Sequence, residues 1–144
     1  MSRFSFAQDD LYAFVENVFP LYHTKHKRAK EITDCILNRF PENIDEDEIA
    51  AELDVTKRWI QKVCTASFLI TFTRLKRILR IYSVLKLLQE TNQDMLGISV
   101  YLDYSDETNM ARDFRLELNI SPTEARTMMM NKTPMELFGK RWRR

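Results

Sequence analysis

The chain has 144 residues, of which 44% are hydrophobic and 30% charged, with a formal net charge of +1. This length and balance suffice for one modest core or two small ones and argue against a disordered chain. No stretch approaches the roughly 20 apolar residues of a membrane-spanning helix, and the N-terminus MSRFSFAQDD lacks the apolar core of a signal peptide. With only two Gly and four Pro, the composition predicts an all-α, cytoplasmic protein.

The small net charge hides an asymmetry along the chain. Residues 1–56 contain 6 Lys and Arg against 12 Asp and Glu, a net charge of −6, whereas residues 57–144 contain 16 against 9, a net charge of +7. A basic second part suggests contact with nucleic acid. A solvated basic face is the alternative that charge alone leaves open.

An amphipathic helix is predicted near the N-terminus. Asp9 and Asp10 begin it, where acidic residues favour the helix dipole, and Pro20 ends the pattern. The apolar face repeats at helical spacing and consists of Leu11, Phe14, Val15, Val18 and Phe19. With the basic link that follows, this helix forms a predicted N-terminal segment, residues 1–28. We interpret its apolar face as a candidate protein-interaction surface, for a homodimer or another protein.

Residues 29–70 are predicted to form a first helix-turn-helix subdomain. After a helix that ends at Pro41, a capping box of Asp45 and Glu48 begins a short helix. Asp54 occupies a turn position that requires positive φ, and Thr56 caps the helix that follows. Two short helices joined by a turn of three or four residues are typical of a helix-turn-helix.

The second of these helices has two chemically different faces. Ile60 and Val63 are predicted to lie inward, whereas Arg58, Gln61 and Lys62 fall on the outer face. A polar, cationic face of this kind suits contact with DNA. A solvated face in a small helical bundle is the alternative.

The same pattern occurs twice in the chain. A shift of 49 residues pairs Ile49 with Ile98, Ala50 with Ser99, Leu53 with Leu102, Asp54 with Asp103 and Val55 with Tyr104, and a shift of 50 then pairs Ile60 with Met110, Lys62 with Arg112 and Cys64 with Phe114. Residues 91–130 are therefore predicted to form a second helix-turn-helix subdomain. A short C-terminal helix and a basic tail, residues 131–144, follow it.

A long linker helix, residues 71–90, is predicted between the two copies. Its broad apolar face consists of Leu75, Ile78, Leu79, Tyr82, Leu85 and Leu88. A helix of this length spans about 30 Å, and successive major grooves on one face of B-DNA lie about 34 Å apart. The length is suited to placing two recognition helices in adjacent grooves.

The second copy also carries a run of residues that forms a family pattern. These residues are Met95, Ile98, Ser99, Asp103, Tyr104, Met110, Phe114, Ser121, Pro122 and Arg126. They resemble the C-terminal helix-turn-helix of the AraC/XylS transcriptional regulators, and the resemblance extends over residues 31–126. Because Asp54, Asp103 and Leu69 stand where that family has glycines and Cys64 where it has an aromatic residue, the chain resembles a short, divergent member.

The resemblance implies which residues contact DNA. The base-contacting residues would be Arg58, Gln61, Lys62, Glu107, Thr108, Asn109 and Arg112. The phosphate-contacting residues would be Thr56, Lys57, Trp59, Arg74, Lys76, Arg77, Arg80 and Arg115, together with the tail GKRWRR. Arg pairs with guanine, Asn and Gln with adenine, and Glu accepts from cytosine. Glu107 either discriminates between bases or weakens its half of the site.

The resemblance further implies a regulator in the cytoplasm, at the nucleoid, whose partners are double-stranded DNA and, for an activator, RNA polymerase. The rival hypothesis is an AraC-like protein-interaction module with weakened DNA binding. An enzyme is not expected, because the chain has neither a Gly-rich phosphate loop nor a metal-ligand spacing of His and Cys. We therefore predict no cofactor and no metal, and expect Cys35 and Cys64 to be reduced, buried thiols.

Overall fold

Helices account for the regular structure in the described residues of the computed structural model, which are 8–19, 22 and 27–142. The helices are α1 Gln8–Val18, α2 Ala29–Arg39, α3 Glu46–Leu53, α4 Lys57–Phe68, α5 Phe72–Glu90, α6 Met95–Tyr101, α7 Glu107–Leu118, α8 Pro122–Met128 and α9 Pro134–Trp142. The all-α prediction is confirmed. Pro20 and the side chains of the basic tail lie outside the described part of the chain.

Contacts within the chain divide it into two compact units, Met1–Lys76 and Arg77–Arg144. The boundary falls inside α5, the predicted linker helix, so α1 to α4 belong to the first unit and α6 to α9 to the second. The finer division of the chain into five segments stays a prediction.

The first helix-turn-helix consists of α3 and α4, and capping side chains fix where both helices begin. The Glu48 amide donates to the Asp45 carboxylate at 2.8 Å, and the Asp45 amide donates back to the Glu48 side chain at 3.0 Å. The Thr56 hydroxyl accepts from the Trp59 amide at 3.0 Å at the start of α4. The capping box and the cap predicted from sequence are therefore both present.

The apolar face of α1 is buried within the first unit. Its members Leu11, Phe14, Val15 and Phe19 are each at most 4% exposed. The helix packs against α2, and the Phe19 ring meets the Phe68 ring edge-on at 5.3 Å. Val18 is half-buried. The prediction that this face is free to dock on another protein is wrong, because intramolecular packing already covers it.

The second helix-turn-helix consists of α6 and α7. Its helices begin at Asp94, which accepts from the Gly97 amide at 2.8 Å, and at Asp106, which accepts from the Asn109 amide at 2.7 Å. Apolar side chains of α7 form the buried face, namely Met110, Phe114 and Leu118. The predicted cap of α8 is also present, since Ser121 and Glu124 bond reciprocally in a capping box.

Both cysteines are buried, as expected. Burial raises the pKa of Cys64 to about 12. It also raises the pKa of Cys35 to about 12, with a further contribution from the bond that its thiol donates to Glu52 at 3.1 Å. Both thiols are therefore protonated at neutral pH. None of the helices in the described residues has the length and apolar character needed to cross a membrane.

Four residues other than Gly adopt left-handed backbone conformations, and all four lie at ends of these helices or in their turns. They are Asp54, Leu69, Asp103 and Asn119, with φ of 56°, 63°, 63° and 61°. They form two pairs, separated by 49 and 50 residues, as the internal repeat predicts. Left-handed backbone costs an ordinary L-residue about 1–2 kcal/mol and costs Asn and Asp less. The strain therefore falls mainly on Leu69.

We expect Leu69→Gly to stabilise the protein by about 1 kcal/mol, because Gly adopts this conformation without a steric penalty. Leu69 is 65% exposed, so little buried apolar area is lost with its side chain. The matched control is Asn119→Gly, which we expect to change stability less. Urea denaturation of the two variants measures the difference, and equal effects would contradict this explanation.

Candidate nucleic-acid interface

The outer face of α4 brings together the first set of predicted base contacts. Five of its side chains line a shallow concavity and are exposed, namely Arg58, Gln61, Lys62, Thr65 and Ala66. The opposite face, with Ile60 and Val63, is buried in the first unit. Thr65 and Ala66 were not among the predicted contacts, although the helical period places them on the same face.

The predicted phosphate contacts at the start of α4 have intramolecular partners. The Lys57 ammonium lies 3.2 Å from the Asp47 carboxylate, and both side chains are more than half exposed. An exposed pair of this kind contributes at most about 1 kcal/mol, so exchange of Asp47 for a phosphate costs little. Trp59 is half-buried under the guanidinium of Arg28, 4.7 Å from its ring centroid.

The outer face of α7 contains the second set of predicted base contacts. Glu107, Thr108 and Arg112 are exposed, whereas Asn109 is half-buried. Arg112 donates to the Asn109 side-chain oxygen at 2.7 Å, and the Asn109 amide group donates to the Ser105 hydroxyl. Asn109 therefore holds Arg112 in position, and its own hydrogen-bonding groups are engaged with neighbours instead of facing outward as a base contact requires.

Cap positions fix the register between α4 and α7, which are the second helices of the two helix-turn-helix motifs. The N-caps Thr56 and Asp106 and the C-caps Leu69 and Asn119 are each 50 residues apart. The concave face of α4 therefore corresponds on α7 to Thr108, Ala111, Arg112, Arg115 and Leu116. Ala111, which is half-buried, and Leu116, which is exposed, were not among the predicted contacts.

Glu107 corresponds in this register to Lys57, a predicted phosphate contact, and not to a residue of the concave face. It is the first residue of α7. There its carboxylate interacts favourably with the positive end of the helix dipole, which gives it a structural reason to be present.

Arg77, a predicted phosphate contact, forms an ion pair within the second unit. Its Nε lies 2.7 Å from Oε2 of Glu117, whose side chain is 1% exposed. Glu117 belongs to the buried face of α7. A buried carboxylate is stable only with a charged or hydrogen-bonding partner, so the ion pair gives Arg77 a structural role in the second unit.

Arg80 is likewise committed to the fold of the second unit. It donates to the carbonyl of Leu102 at 2.8 Å, and its guanidinium lies 3.7 Å from the centroid of the Tyr104 ring. These contacts lie on both sides of Asp103, the residue with positive φ in the turn. Burial raises the pKa of the neighbouring Asp113, and the cations of Arg77 and Arg80 offset part of that rise. Arg80 therefore holds the turn, and its role as a phosphate contact stays a prediction.

The remaining predicted phosphate contacts differ in how far they are engaged. Lys76 donates to the side chain of Asn43 at 3.1 Å and to the carbonyl of Ile44 at 2.9 Å, so its ammonium anchors the loop before α3. Arg74 is half-buried. Arg115 is exposed on the outer face of α7. Of these three, Arg115 has the exposure that a phosphate contact requires.

Comparisons with known proteins agree with this arrangement. The sequence model of a helix-turn-helix domain matches residues 49–128, which is more than half of the chain and covers both copies of the motif. No curated protein matches the chain.

Three solved structures illustrate the similarity in fold. An AraC-type regulator from Chromobacterium violaceum is 20% identical with a TM-score of 0.66, over 71% of this chain and 91% of that one. The C-terminal domain of AraT, a response regulator from Geobacillus stearothermophilus, is 17% identical with a TM-score of 0.68, over 73% and 88%. The DNA-binding domain of AdpA, solved with a target DNA, is 16% identical with a TM-score of 0.64, over 69% and 89%. At these identities the similarity concerns the fold.

We expect Arg77→Ala to destabilise the second unit by about 3 kcal/mol, because it removes the cation that lies 2.7 Å from the buried Glu117 side chain. The matched control is Lys57→Ala, which breaks an exposed pair and should cost less than about 1 kcal/mol. Urea denaturation followed by circular dichroism measures both changes. A cost for Arg77→Ala as small as that of the control would show that the buried pair is not important for stability.

Proposed function

The chain belongs to the AraC-type helix-turn-helix family, and we propose that it is a sequence-specific DNA-binding transcriptional regulator. The observation that carries the proposal is the pair of recognition helices whose outer faces are exposed and carry cations, Arg58 and Lys62 on α4 and Arg112 and Arg115 on α7. Such faces suit the major groove, where base edges are identified and the surrounding phosphates attract positive charge. The proposed role requires binding and no catalysis.

In the proposed complex α4 contacts base edges through three side chains. Arg58 is suited to guanine, whose O6 and N7 accept two hydrogen bonds, and Gln61 to adenine, which offers a donor and an acceptor. Lys62 supplies a further cation that suits guanine. The side chains of all three are exposed around one concavity, which supports simultaneous contact with neighbouring base pairs.

On α7 the proposed principal base contact is Arg112. Its bond to Asn109 limits the conformations of a long side chain before DNA arrives, which lowers the entropy lost on binding. We propose Arg115 as a phosphate contact and Glu107 as a stabiliser of the start of α7. Glu107 then lowers affinity through repulsion from phosphates without removing a base contact.

We propose that α4 and α7 occupy two adjacent major grooves of one duplex. Two observations support this, namely the repetition of the motif and the 19 residues of α5, which correspond to about 28 Å of helix. Family membership supports a further step, in which the chain is an activator that contacts RNA polymerase at the nucleoid. The α1 face, on which a homodimer was predicted, is buried within the first unit.

A protein-interaction module is the second candidate. One observation favours it, since Leu96 and Val100 lie one turn apart on α6 and are 56% and 68% exposed. Exposed apolar side chains at this spacing are typical of helix faces that contact proteins. Weak or absent binding to every duplex at low salt would make this candidate the leading one.

Selection of bound duplexes from genomic fragments, followed by footprinting, tests the proposed function. We expect one preferred sequence with protection in two successive major grooves. Arg58→Ala and Arg112→Ala should each weaken binding by about 1–3 kcal/mol and relax the preference at a different base position. Lys132→Ala, an exposed cation outside both recognition helices, is the control and should leave the preference unchanged. Failure to bind any duplex would overturn the proposal.

Arg115 provides a separate test of the electrostatic contribution to the proposed DNA binding. Arg115→Gln should weaken binding to all sequences similarly and reduce the slope of log K against log salt by about 0.9, the value for one phosphate contact. Arg115→Lys keeps the charge and should restore the slope. Titrations at several salt concentrations give the slope, and an unchanged slope in Arg115→Gln would remove Arg115 from the interface.

A further inference from the structure

The outer faces of the two recognition helices differ in chemistry although their caps are in register. On α4 the positions 58, 61 and 62 carry Arg, Gln and Lys, three long side chains that donate hydrogen bonds. On α7 the corresponding positions carry Thr108, Ala111 and Arg112. Two of the three long donors are therefore replaced by short side chains. Ala111 is half-buried and ends in a methyl group, and Thr108 is exposed and ends in a methyl and a hydroxyl group.

The outer face of α7 also includes an exposed apolar residue. Leu116 corresponds to Ala66 of the α4 concavity and is 57% exposed. Thr108 and Leu116 are eight positions apart, a distance of about 12 Å along a helix, which is similar to the width of the major groove. Methyl groups therefore occur along the length of a face that fits the groove.

Charges on the same face indicate what covers it. Arg112 and Arg115 lie between Thr108 and Leu116 on the exposed side of α7. This combination matches the major groove of a duplex. The two cations suit the phosphates that surround the groove, and the methyl groups suit the 5-methyl group of thymine, which is the apolar group on its floor. The exposed pair Leu96 and Val100 on α6 has no such cation between its members, so this argument does not extend to that pair.

We propose that the second recognition helix identifies its half-site through the 5-methyl groups of thymine, which pack against Thr108, Ala111 and Leu116. The inference rests on the proposed function and adds a specificity to it. Arg112 is then the one side chain of this face that pairs with a guanine through two hydrogen bonds. The half-site of α7 is rich in thymine, whereas α4 distinguishes its half-site by hydrogen-bond donors and acceptors.

Replacement of thymine by uracil tests this directly, because uracil lacks only the 5-methyl group. The full chain is titrated with its selected duplex and with duplexes in which deoxyuridine replaces thymidine in one half-site at a time. The half-site of α7 is the one whose preference changes in Arg112→Ala, and the half-site of α4 is the one whose preference changes in Arg58→Ala. We expect affinity to fall about fourfold for each contacted methyl in the α7 half-site, the factor for one buried methylene group, and to change much less in the α4 half-site.

An exchange of register-matched residues provides the second measurement. Ala111→Gln gives α7 the residue that α4 has at position 61, and should shift the preference at one base pair from thymine towards adenine and reduce the loss caused by deoxyuridine there. Gln61→Ala is the reciprocal control and should leave the deoxyuridine effect in the α7 half-site unchanged. Unchanged recognition of the α4 half-site by Ala111→Gln shows that the variant is folded.

The outcomes separate this inference from the proposed function. Specific binding that is insensitive to deoxyuridine in the α7 half-site overturns the inference and leaves the proposed function in place. Absence of binding to any duplex at low salt overturns both, and the exposed Leu116 then belongs to a protein contact. If Ala111→Gln fails to fold, the deoxyuridine titrations with the unaltered chain decide the question without it.

Discussion

The tight turn inside each helix-turn-helix is the constraint on which the rest of the structure depends. Within a few residues the chain must leave one helix, change direction and begin another, and this requires a left-handed residue, Asp54 in the first copy and Asp103 in the second. The cap that follows, Thr56 or Asp106, then fixes the first residue of the recognition helix. Because a helix has a fixed period, that first residue decides which side chains face outward.

The second unit contains a buried carboxylate at a position where the first unit has a hydroxyl group. Glu117 corresponds to Ser67, and both are buried, but a carboxylate requires a cation where a hydroxyl does not. Arg77 supplies that cation, and one turn of α5 further on Arg80 contacts both sides of Asp103. Part of the positive charge in the second half of the chain therefore holds α5, the turn and α7 together.

The two copies of the motif differ mainly at outward positions. Three buried positions are apolar in both copies, because they fill similar cores. Ile60, Cys64 and Phe68 are matched by Met110, Phe114 and Leu118. The outward positions face no such requirement and have changed from donors to methyl groups. Asn109, held by Ser105 and bonded to Arg112, restricts the one long donor that remains.

Sequence alone determined the elements and their order, since helical periodicity, the caps at Asp45, Thr56 and Ser121 and the repeat at 49 and 50 residues are local patterns. It also determined the exposed face of α4, because that face follows from the period once the cap is known. Tertiary structure decided which cations are free. Arg77 and Arg80 have the sequence character of phosphate contacts, yet their partners lie 40 and 22 residues away. It also showed that α1 packs its apolar face against its own unit. Helical periodicity predicts that a helix has an apolar face, but only the tertiary structure shows which surface covers that face.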